Sequence, residues 1–434
     1  MADVPAAFPQ QARRRGGLLD LAQATEVDLR LFGMVVALLA IVVGFGVATG
    51  GRYLEPANLV TLSVQTAAVA IIATGMVLVI VSRNIDLSVG SIVGVVAMSY
   101  ALLMTDILPG VLGLGHPLMW VVALALGLGI GGFIGGVQGF IIAYVGVPSF
   151  IVTLGGLLIL RGLVWVLSSG ASVAGLDPTF QLLGGGPTGS IGGPASWTVG
   201  IGICIGIVTL IAYNRRQRRK FGFPLRPMWA EILITGIGCA VTLGLVYIAN
   251  SYLWPAPLAN RYAEAHGIPI PEGGLRIESG IPWPLVAVLV VTVVMSFIAT
   301  RRRFGRSVFA IGGNPEAAEL AGINTRWTIM KTFILMGVLC GLSAAIASAR
   351  LNGATLDVGV GYELYVIAAA VIGGTSFAGG IGTIPGAVLG ALVMQSLAYG
   401  LSFIGLSSPI QNIAAGIVLI LAVGFDSYNR RRAS

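Results

Sequence analysis

Charged residues are scarce in this sequence: Asp, Glu, Lys and Arg make up 10% of its 434 residues, whereas a soluble domain contains about a quarter. Histidine occurs only twice and cysteine three times. Apolar residues make up 56% of the chain and lie in long runs. This composition excludes a soluble globular protein, a disordered chain and a nucleic-acid-binding protein, and it predicts a polytopic protein in a lipid bilayer.

Residues for catalysis and metal binding are also missing. Neither lysine, Lys220 nor Lys331, follows a glycine, so the chain lacks the G-x-x-x-x-G-K loop that binds ATP phosphates. His116 and His266 are too few for a buried Ser-His-Asp triad or a histidine-rich metal site. The cysteines fall in separate apolar runs, which predicts packed thiols: Cys204, Cys239 and Cys340. We therefore expect no catalytic residue, metal or cofactor in this chain.

Twelve apolar runs are candidate membrane spans. They cover residues 31–49, 61–81, 87–105, 119–144, 150–168, 198–213, 230–250, 284–299, 332–349, 364–377, 383–403 and 410–425. The connections 82–86 and 378–382 are very short, so the runs beside them could be half-helices and ten complete crossings would remain. The predicted fold class is all-α and polytopic, with 10–12 transmembrane helices, some of them broken.

Basic clusters between the apolar runs indicate the orientation. They lie at 13–15, 215–220, 301–306 and 430–432, all on the cytoplasmic side if both termini are cytoplasmic. The chain then divides into a cytoplasmic leader (1–30), a transmembrane domain (31–425) and a basic cytoplasmic tail (426–434). Within the transmembrane domain, loop 301–330 is predicted to be cytoplasmic. Loop 251–282, of mixed charge, is predicted to face the periplasm.

A glycine stripe marks the run 119–144. Gly127, Gly131, Gly135 and Gly139 recur at every fourth residue, which allows a neighbouring helix to approach closely. The same run matches the dinucleotide fingerprint G-x-G-x-x-G, but the strand that must precede that motif has no place in a 26-residue apolar run. We interpret the stripe as a helix-packing surface.

Segment 83–91 is polar, although it lies between two apolar runs. A half-helix that begins near Asp86 or Ser88 would have an N-cap there, and a broken helix is tolerated inside a membrane only within protein or beside a watery cavity. Two interpretations remain open: part of a solute pathway or its gate, and a tight cytoplasmic turn.

The loop 304–327 predicts a short, well-capped helix. Asn314 can cap it, Pro315 suits its first position, Glu316 favours its positive end and Gly322 stops it. The helix could project to a partner, or it could be a loop helix that contacts nothing.

Segment 373–386 contains many glycines and Pro385, which forbid a continuous helix. It predicts either interrupted helices that line a cavity or a flexible turn.

Together these three segments resemble motifs of the permease subunits of bacterial ribose/xylose-type sugar ABC importers. The matching runs are D-L-S-V-G-S from Asp86, G-G-N-P-E-A-A-x-x-x-G-I from Gly312 and I-G-G-T-S-x-x-G-G-x-G-T-x-x-G from Ile372. The resemblance extends over about residues 55 to 425, and the extra basic loops look most like the xylose permease branch. The Leu-Pro pair of many such permeases is absent after Lys331.

The resemblance implies a bacterial inner-membrane protein with three partners: a separate ATPase subunit that uses ATP and magnesium, a periplasmic sugar-binding protein, and a second permease copy. Loop 251–282 would help to seat the binding protein or would be an inert insertion. The residues that would dock on the ATPase are Asn314, Pro315, Glu316, Ala317, Ala318 and Gly322.

Polar and glycine residues at membrane depth are candidates for the translocation pathway or its gate. They are Gln65, Asn84, Asp86, Ser88, Gln138, Gly374, Thr375 and Gln395. Their sparseness predicts a low-affinity passage for a neutral sugar, xylose by resemblance, with selectivity delegated to the binding protein. The alternative is an ion-coupled secondary transporter, which would require Asp86 or Arg161 to couple to an ion gradient.

Overall fold

The computed structural model describes residues 29–271 and 274–431. The leader cluster Arg13, Arg14 and Arg15, together with Glu272 of loop 251–282 and Arg432 of the tail, lies outside these residues. Seventeen helices follow one another in the described part of the chain. They are α1 (Leu29–Ala48), α2 (Pro56–Val81), α3 (Val89–Leu102), α4 (Leu108–Leu112), α5 (Met119–Phe140), α6 (Ser149–Ser168), α7 (Pro178–Gln181), α8 (Gly193–Lys220), α9 (Met228–Ser251), α10 (Ala256–His266), α11 (Trp283–Arg301), α12 (Arg303–Gly313), α13 (Pro315–Leu320), α14 (Thr325–Leu351), α15 (Tyr362–Ile372), α16 (Ile384–Phe403) and α17 (Ser408–Arg431).

Single helical turns extend or connect several of these elements. Two are π-helical (Leu103–Ile107, Ile141–Val145) and two are 3-10 turns (Arg52–Leu54, Leu182–Gly184). Two short strands, β1 (Val173–Ala174) and β2 (Gly353–Ala354), pair antiparallel, with Val173 opposite Ala354.

Ten of the described helices are long and apolar enough to cross a membrane, and two shorter apolar helices lie at Tyr362–Ile372 and Ser408–Leu421. This confirms the all-α polytopic fold. The two shorter helices are the predicted runs 364–377 and 410–425, so the twelve predicted runs divide into ten full-length helices and two shorter ones.

Helices α2 and α14 form the centre of the bundle. Both are apolar around their whole circumference, which is typical of a buried helix. The Ser343 hydroxyl donates to the Ala68 carbonyl oxygen over 2.8 Å, while Gly75 packs against Met336 and Leu339. Residues later in α2 contact residues earlier in α14, so the two helices are antiparallel.

The glycine stripe of α5 packs against α14, as predicted. A Cβ added at Gly131 or Gly135 would overlap the carbonyl oxygen of Gly337 or Phe333 on α14, and one at Gly337 would overlap the Gly131 carbonyl oxygen. The backbones approach closely because both helices present glycines at this interface.

The bundle contains an inverted repeat that sequence analysis missed. In the first half, α2 is followed by an extended break (82–88), a helix that runs from α3 through α4 (Val89–Leu112), and then α5 and α6. In the second half, α14 is followed by a break (352–361), the half-helix α15, and then α16 and α17. In each half the helix after the break packs against the last helix, and α5 and α16 each pack on the central helix of the other half. Because α2 and α14 are antiparallel, the two halves run in opposite directions, as in many transporters.

Both breaks carry the same short sequence pattern. Ile85-Asp86-x-x-Val89-Gly90 in the first corresponds to Leu356-Asp357-x-x-Val360-Gly361 in the second. The breaks also touch, because a Cβ at Gly90 would overlap the Gly359 carbonyl oxygen and the reverse is also true. The interior of the bundle is therefore built where two interrupted helices meet.

The bundle has two distinct ends. The Ile191 and Gly192 N–H groups, just before α8, donate to the Ile281 and Ser279 carbonyl oxygens, just before α11, so these two helices start beside each other. Their C-terminal ends, which carry the arginine clusters, lie together at the other end of the bundle. We call this the basic end. The opposite end, which includes loops 169–192 and 252–282, is the loop end. Which side of the membrane each end faces stays a prediction.

Candidate functional site

A buried polar cluster surrounds the first break. Asp86 Oδ1 accepts hydrogen bonds from the Ser88 backbone N–H (2.9 Å) and hydroxyl (2.6 Å), and the Ser88 Oγ lies 3.0 Å from Gln138 Oε1. Asp86, Ser88 and Gln138 are 1%, 0% and 5% exposed. Three of the predicted residues are thus brought together inside the bundle.

The start of α3 differs in detail from the prediction. Ser88 occupies the N-cap position, but its side chain caps no backbone N–H of the helix. Asp86 instead bonds to the residue two positions later, as in an Asx turn. Asp86 therefore fixes the path of the extended segment into α3 and does not cap the helix directly.

A cleft enters the bundle from the loop end. Its inner cavity of 240 Å³ lies between α2, α14, α15, α16 and α17, and an outer cavity of 570 Å³ shares Val64 and Arg350 with it. The outer cavity reaches Tyr252 and the loop after α7. On α2 the lining extends from Val60 to Ala68, about 12 Å along a helix that rises 1.5 Å per residue. We call the two cavities together the loop-end cleft.

Amide and tyrosine side chains line the inner cavity. Gln65 and Gln395 are both there, and the Gln395 amide donates to the Gln65 carbonyl oxygen over 3.4 Å. The other polar lining residues are Arg350, Tyr362, Tyr365, Tyr399, Ser402 and Gln411. Among the described residues, the lining of the two cavities includes no Asp or Glu. Hydroxyl and amide groups beside aromatic faces suit a small, neutral, polyhydroxylated solute.

Sequence reasoning did not single out Arg350, Tyr362, Tyr365 or Tyr399 in this cleft. A signal was available at Tyr362 and Tyr365, which are three residues apart at the start of α15 and so share one helix face. Arg350 and Tyr399 lie far apart in the sequence, and only the packing of α14 on its neighbours brings them to one cavity.

Arg161 of α6, a helix of the first half, holds the second break. Its Nη1 donates to the carbonyl oxygens of Leu356 (3.2 Å) and Val358 (3.1 Å) in the second break. The helix that packs against α3 therefore also holds the turns before α15. In this structure, Arg161 positions backbone and joins the two halves.

Arg83 links the first break to the basic end. It has a positive φ of 63°, and its guanidinium donates to the carbonyl oxygens of Gly312 and Gly313, both over 2.8 Å, at the end of α12. The Gly380 N–H donates to the Val81 carbonyl oxygen over 3.0 Å. The polar segment 83–91, the loop 304–327 and the glycine-rich segment 373–386 thus meet at the basic end.

The remaining pathway candidates lie near this basic end, away from the cleft. Asn84 donates to the Ser82 carbonyl oxygen (2.9 Å). Gly374, with φ of 91°, begins the turn after α15, and Thr375 is 1% exposed there. The pathway candidates therefore fall into three groups: the Asp86 cluster, the Gln65 and Gln395 cleft, and these turn residues.

Helix α13 has the predicted local structure. Asn314 Oδ1 accepts from the Ala317 N–H over 3.0 Å, Pro315 is its first residue, and Gly322 follows with φ of 82°. Ala318 is buried, whereas Leu320 is 91% exposed. Sequence reasoning did not single out Leu320, whose side chain projects from this short, capped helix.

Long apolar helices, interrupted inside the bundle beside a polar cleft, define a membrane transport protein of the permease class. The chain belongs to the family described as branched-chain amino acid transport system / permease component, whose model matches residues 194–423. This agrees with the importer permease resemblance seen in the motifs, and the chain is a multi-pass inner-membrane protein.

Three relatives show how far the similarity extends. The chain is 34% identical to the xylose transport system permease protein of Haemophilus influenzae, over 94% of this chain and 98% of the relative. It is 35% identical to the xylose transport system permease protein of Escherichia coli K12, over 94% of each chain. It is 32% identical to the ribose import permease protein of Escherichia coli K12, over 85% of each chain. No solved structure matches the chain.

Proposed function

We propose that this chain is the transmembrane subunit of an ATP-binding cassette importer that carries a monosaccharide, xylose, across the inner membrane. The observation that carries the proposal is the similarity to xylose permease proteins over nearly the whole of both chains. A separate ATPase subunit would bind ATP and magnesium, a periplasmic binding protein would deliver the sugar, and a second permease copy would complete the membrane unit. Both termini and the basic end would be cytoplasmic.

The loop-end cleft supports a sugar over an amino acid, which the family description would also allow. An amino acid carries an ammonium group, and a buried cation requires a nearby anion. The cleft lining offers amides, hydroxyls, tyrosine rings and one arginine, but no carboxylate. A neutral sugar brings no ammonium group that would need a carboxylate there.

Contacts at the basic end suggest how an ATPase would act on the pathway. Helix α13 would dock on the ATPase, with Leu320 and the first turn at Glu316 as its exposed contacts. Asn314 follows directly on Gly312 and Gly313, whose carbonyl oxygens hold Arg83 of the first break. Movement of α13 would therefore be passed through Arg83 to the segment that carries Asp86.

An ion-coupled secondary transporter is the second candidate. It is favoured by one observation: Asp86 Oδ2 is buried without a hydrogen-bond partner among the described residues. Such a carboxylate oxygen could bind a proton during a coupled cycle.

Uptake of labelled xylose into proteoliposomes tests both functions. For the importer we expect uptake only when the ATPase subunit, the binding protein and internal ATP are all present. Uptake driven by a proton or sodium gradient with the permease alone would contradict the importer. Binding-protein-dependent uptake of ribose, but not of xylose, would support the importer mechanism with ribose as the transported sugar.

Cysteine labelling of spheroplasts tests the orientation. Glu264 on α10 and Arg303 on α12 are both exposed and lie at opposite ends of the bundle. We expect an impermeant maleimide to label Glu264→Cys and not Arg303→Cys. The reverse pattern would invert the proposed topology.

A further inference from the structure

One arginine, Arg350, lies where the two cavities of the loop-end cleft join. Of the described lining residues, Val64 and Arg350 are shared by the inner cavity of 240 Å³ and the outer cavity of 570 Å³. Val64 belongs to α2 and Arg350 to the last turn of α14, the two central helices of the bundle. A solute that moves from the outer cavity to the inner one therefore passes Arg350.

The backbone at Arg350 is held in place by the loop after α7. A Cβ added at Gly184 would overlap the backbone nitrogen and Cα of Arg350, so the two backbones are in close contact. The next residue, Gly185, packs against the Val64 side chain. The loop thus contacts both central helices where the cavities join, and a side chain carried on such fixed backbone is preorganised for a ligand.

The side chain of Arg350 is exposed and lines the cleft. Among the described residues it has no hydrogen bond or ion pair, whereas Arg83 and Arg161 donate to backbone carbonyl oxygens inside the bundle. A positive charge in the last turn of α14 stabilises the helix end, but a lysine on any face of that turn would do the same. The helix end therefore does not account for a guanidinium group that is free in a polar cavity.

We propose that Arg350 binds the carboxylate of an anionic sugar, so that the loop-end cleft admits sugar acids of the hexuronate class as well as neutral sugars. The inference rests on the proposed function, because it takes the cleft as the sugar pathway. A guanidinium group donates two parallel hydrogen bonds to a carboxylate. The described lining contains no acidic side chain that would compete for these donors.

The remainder of the inner cavity suits the uncharged part of such a ligand. Tyr362, Tyr365 and Tyr399 present rings and hydroxyl groups, and Gln395 presents an amide. Hydroxyl and amide groups pair with sugar hydroxyls, while aromatic faces cover the C–H groups of the ring. The charge of Arg350 also repels an ammonium group, so the cleft should distinguish solutes by the sign of their charge.

A matched series of sugars isolates the contribution of the carboxylate. D-xylose, D-glucose and D-glucuronate have the same ring configuration and differ in one substituent, which is hydrogen, hydroxymethyl or carboxylate. Saturation-transfer NMR of the full-length permease in phosphatidylcholine nanodiscs measures the dissociation constant of each sugar. We expect D-glucuronate to bind about tenfold more tightly than D-glucose, the effect of a charge-assisted pair of hydrogen bonds.

Substitution of Arg350 should remove this preference. Arg350→Gln should bind D-glucuronate and D-glucose about equally. Arg350→Lys keeps the charge at the end of α14 but loses the two-pronged donation, so it should unfold at the wild-type temperature and show a smaller preference. It also carries the test if Arg350→Gln unfolds early. Arg261→Gln is the matched control, because Arg261 is exposed on α10 at the same end of the bundle and does not line the cleft.

Three results would overturn the inference. They are equal binding of D-glucuronate and D-glucose by the wild-type permease, a preference that survives in Arg350→Gln, and an equal loss in Arg261→Gln. If D-xylose still binds in these cases, and Gln395→Ala weakens its binding, the cleft remains the sugar pathway. If none of the three sugars binds, both the inference and the cleft as a pathway are wrong.

Discussion

The two breaks of the bundle have the same sequence pattern and the same place in their halves, yet their surroundings differ. At the first break, Gln138 of α5 packs against Ser88, and the cavity of 350 Å³ beside it, between α5 and α6, is lined otherwise by apolar side chains and glycines. At the second, Gln395 of α16, the equivalent helix, lines a cavity of 240 Å³ beside Tyr362. Residues 71–81 of α2, between the cleft and the basic end, are all buried. The bundle is therefore open toward the loop end and packed shut toward the basic end.

The difference identifies the parts of the permease that would move during transport. In transporters built from inverted repeats, the two halves exchange conformations as access alternates between the two sides. Equivalent positions that differ in packing mark the parts that would exchange. Here these are the Asp86 cluster and the loop-end cleft, so substitutions at each should affect different steps of transport.

The largest effect is expected where the two breaks touch. Gly90→Val would push a branched side chain into the Gly359 carbonyl oxygen and the Glu363 carboxylate. Such overpacking usually costs about 1–3 kcal/mol, and here the obstacle is backbone, which yields little. We expect a sharp fall in folded protein, measured by size-exclusion chromatography and thermal unfolding in detergent. Gly162→Val, at a helix position with nothing within 4 Å, is the control; equal yields would show that the breaks do not support each other.

Loss of coupling is the next largest effect. Gly322→Val places a branched residue at φ of 82°, where L-residues are strained by roughly 1–2 kcal/mol. The space around Gly322 is open, so the bundle should still fold. We expect ATP hydrolysis without uptake in the reconstituted complex. Gly322→Asn, which tolerates this conformation better, should retain more transport.

Charge at α13 supplies a second measurement on the same helix. Glu316→Lys places a cation at the positive end of the helix and should weaken co-purification of the ATPase subunit. Glu319→Lys has the same charge change one turn later and should have the smaller effect. If both Gly322→Val and Glu316→Lys transport and co-purify like wild type, α13 is not the docking helix.

An intermediate effect is expected at the first break. Asp86→Ala removes the acceptor of two Ser88 hydrogen bonds and leaves the buried Ser88 N–H unpaired, since the hydroxyl can still donate to Gln138, at a cost of about 1–3 kcal/mol. Asp86→Asn keeps an acceptor and should retain much of the transport. Complete loss of uptake in Asp86→Asn at normal expression would show that the charge is required, and it would favour the ion-coupled alternative.

The smallest effect is expected in the open cleft. Tyr362→Phe and Gln395→Ala each remove one polar group that lines the cavity, worth about 0.5–1.5 kcal/mol or a factor of roughly 2 to 10 in KM for uptake. The matched control is Tyr247→Phe, on the lipid-exposed face of α9, where the side chain is 66% exposed. An unchanged KM in both cleft variants would remove the loop-end cleft from the pathway.

The sequence allowed prediction of features that depend on neighbouring residues. The apolar runs, the cap at Asn314, the stop at Gly322 and the interruption after Ile372 all follow from local patterns, and the structure contains them. The packing of the α5 glycines against another helix could also be predicted, because a four-residue repeat defines a helix face.

Features that depend on distant pairs could not be predicted in this way. The cleft combines Gln65 with Gln395, 330 residues apart, and Arg83 meets Gly312 across 229 residues. The repeated Ile/Leu-Asp-x-x-Val-Gly pattern is short and is separated by a long stretch of unrelated sequence, so its meaning became visible only when α2 and α14 were seen to be antiparallel. The predicted cap at Asp86 differs from the observed Asx turn for a related reason. Whether Asp86 accepts from Ser88 or caps the helix depends on how the extended break is packed.

The interlocking of the two halves has a consequence for biosynthesis. Helix α5 belongs to the first half, but its glycine face is covered by α14, whose first residue, Thr325, is made long after Phe140. During synthesis this glycine face lies in the bilayer without its partner helix until α8, α9 and the basic-end loops have been made. A ribosome-arrested chain that ends before Thr325 should therefore expose an unpartnered small-residue face, a ready target for membrane proteases, however well its individual helices have inserted.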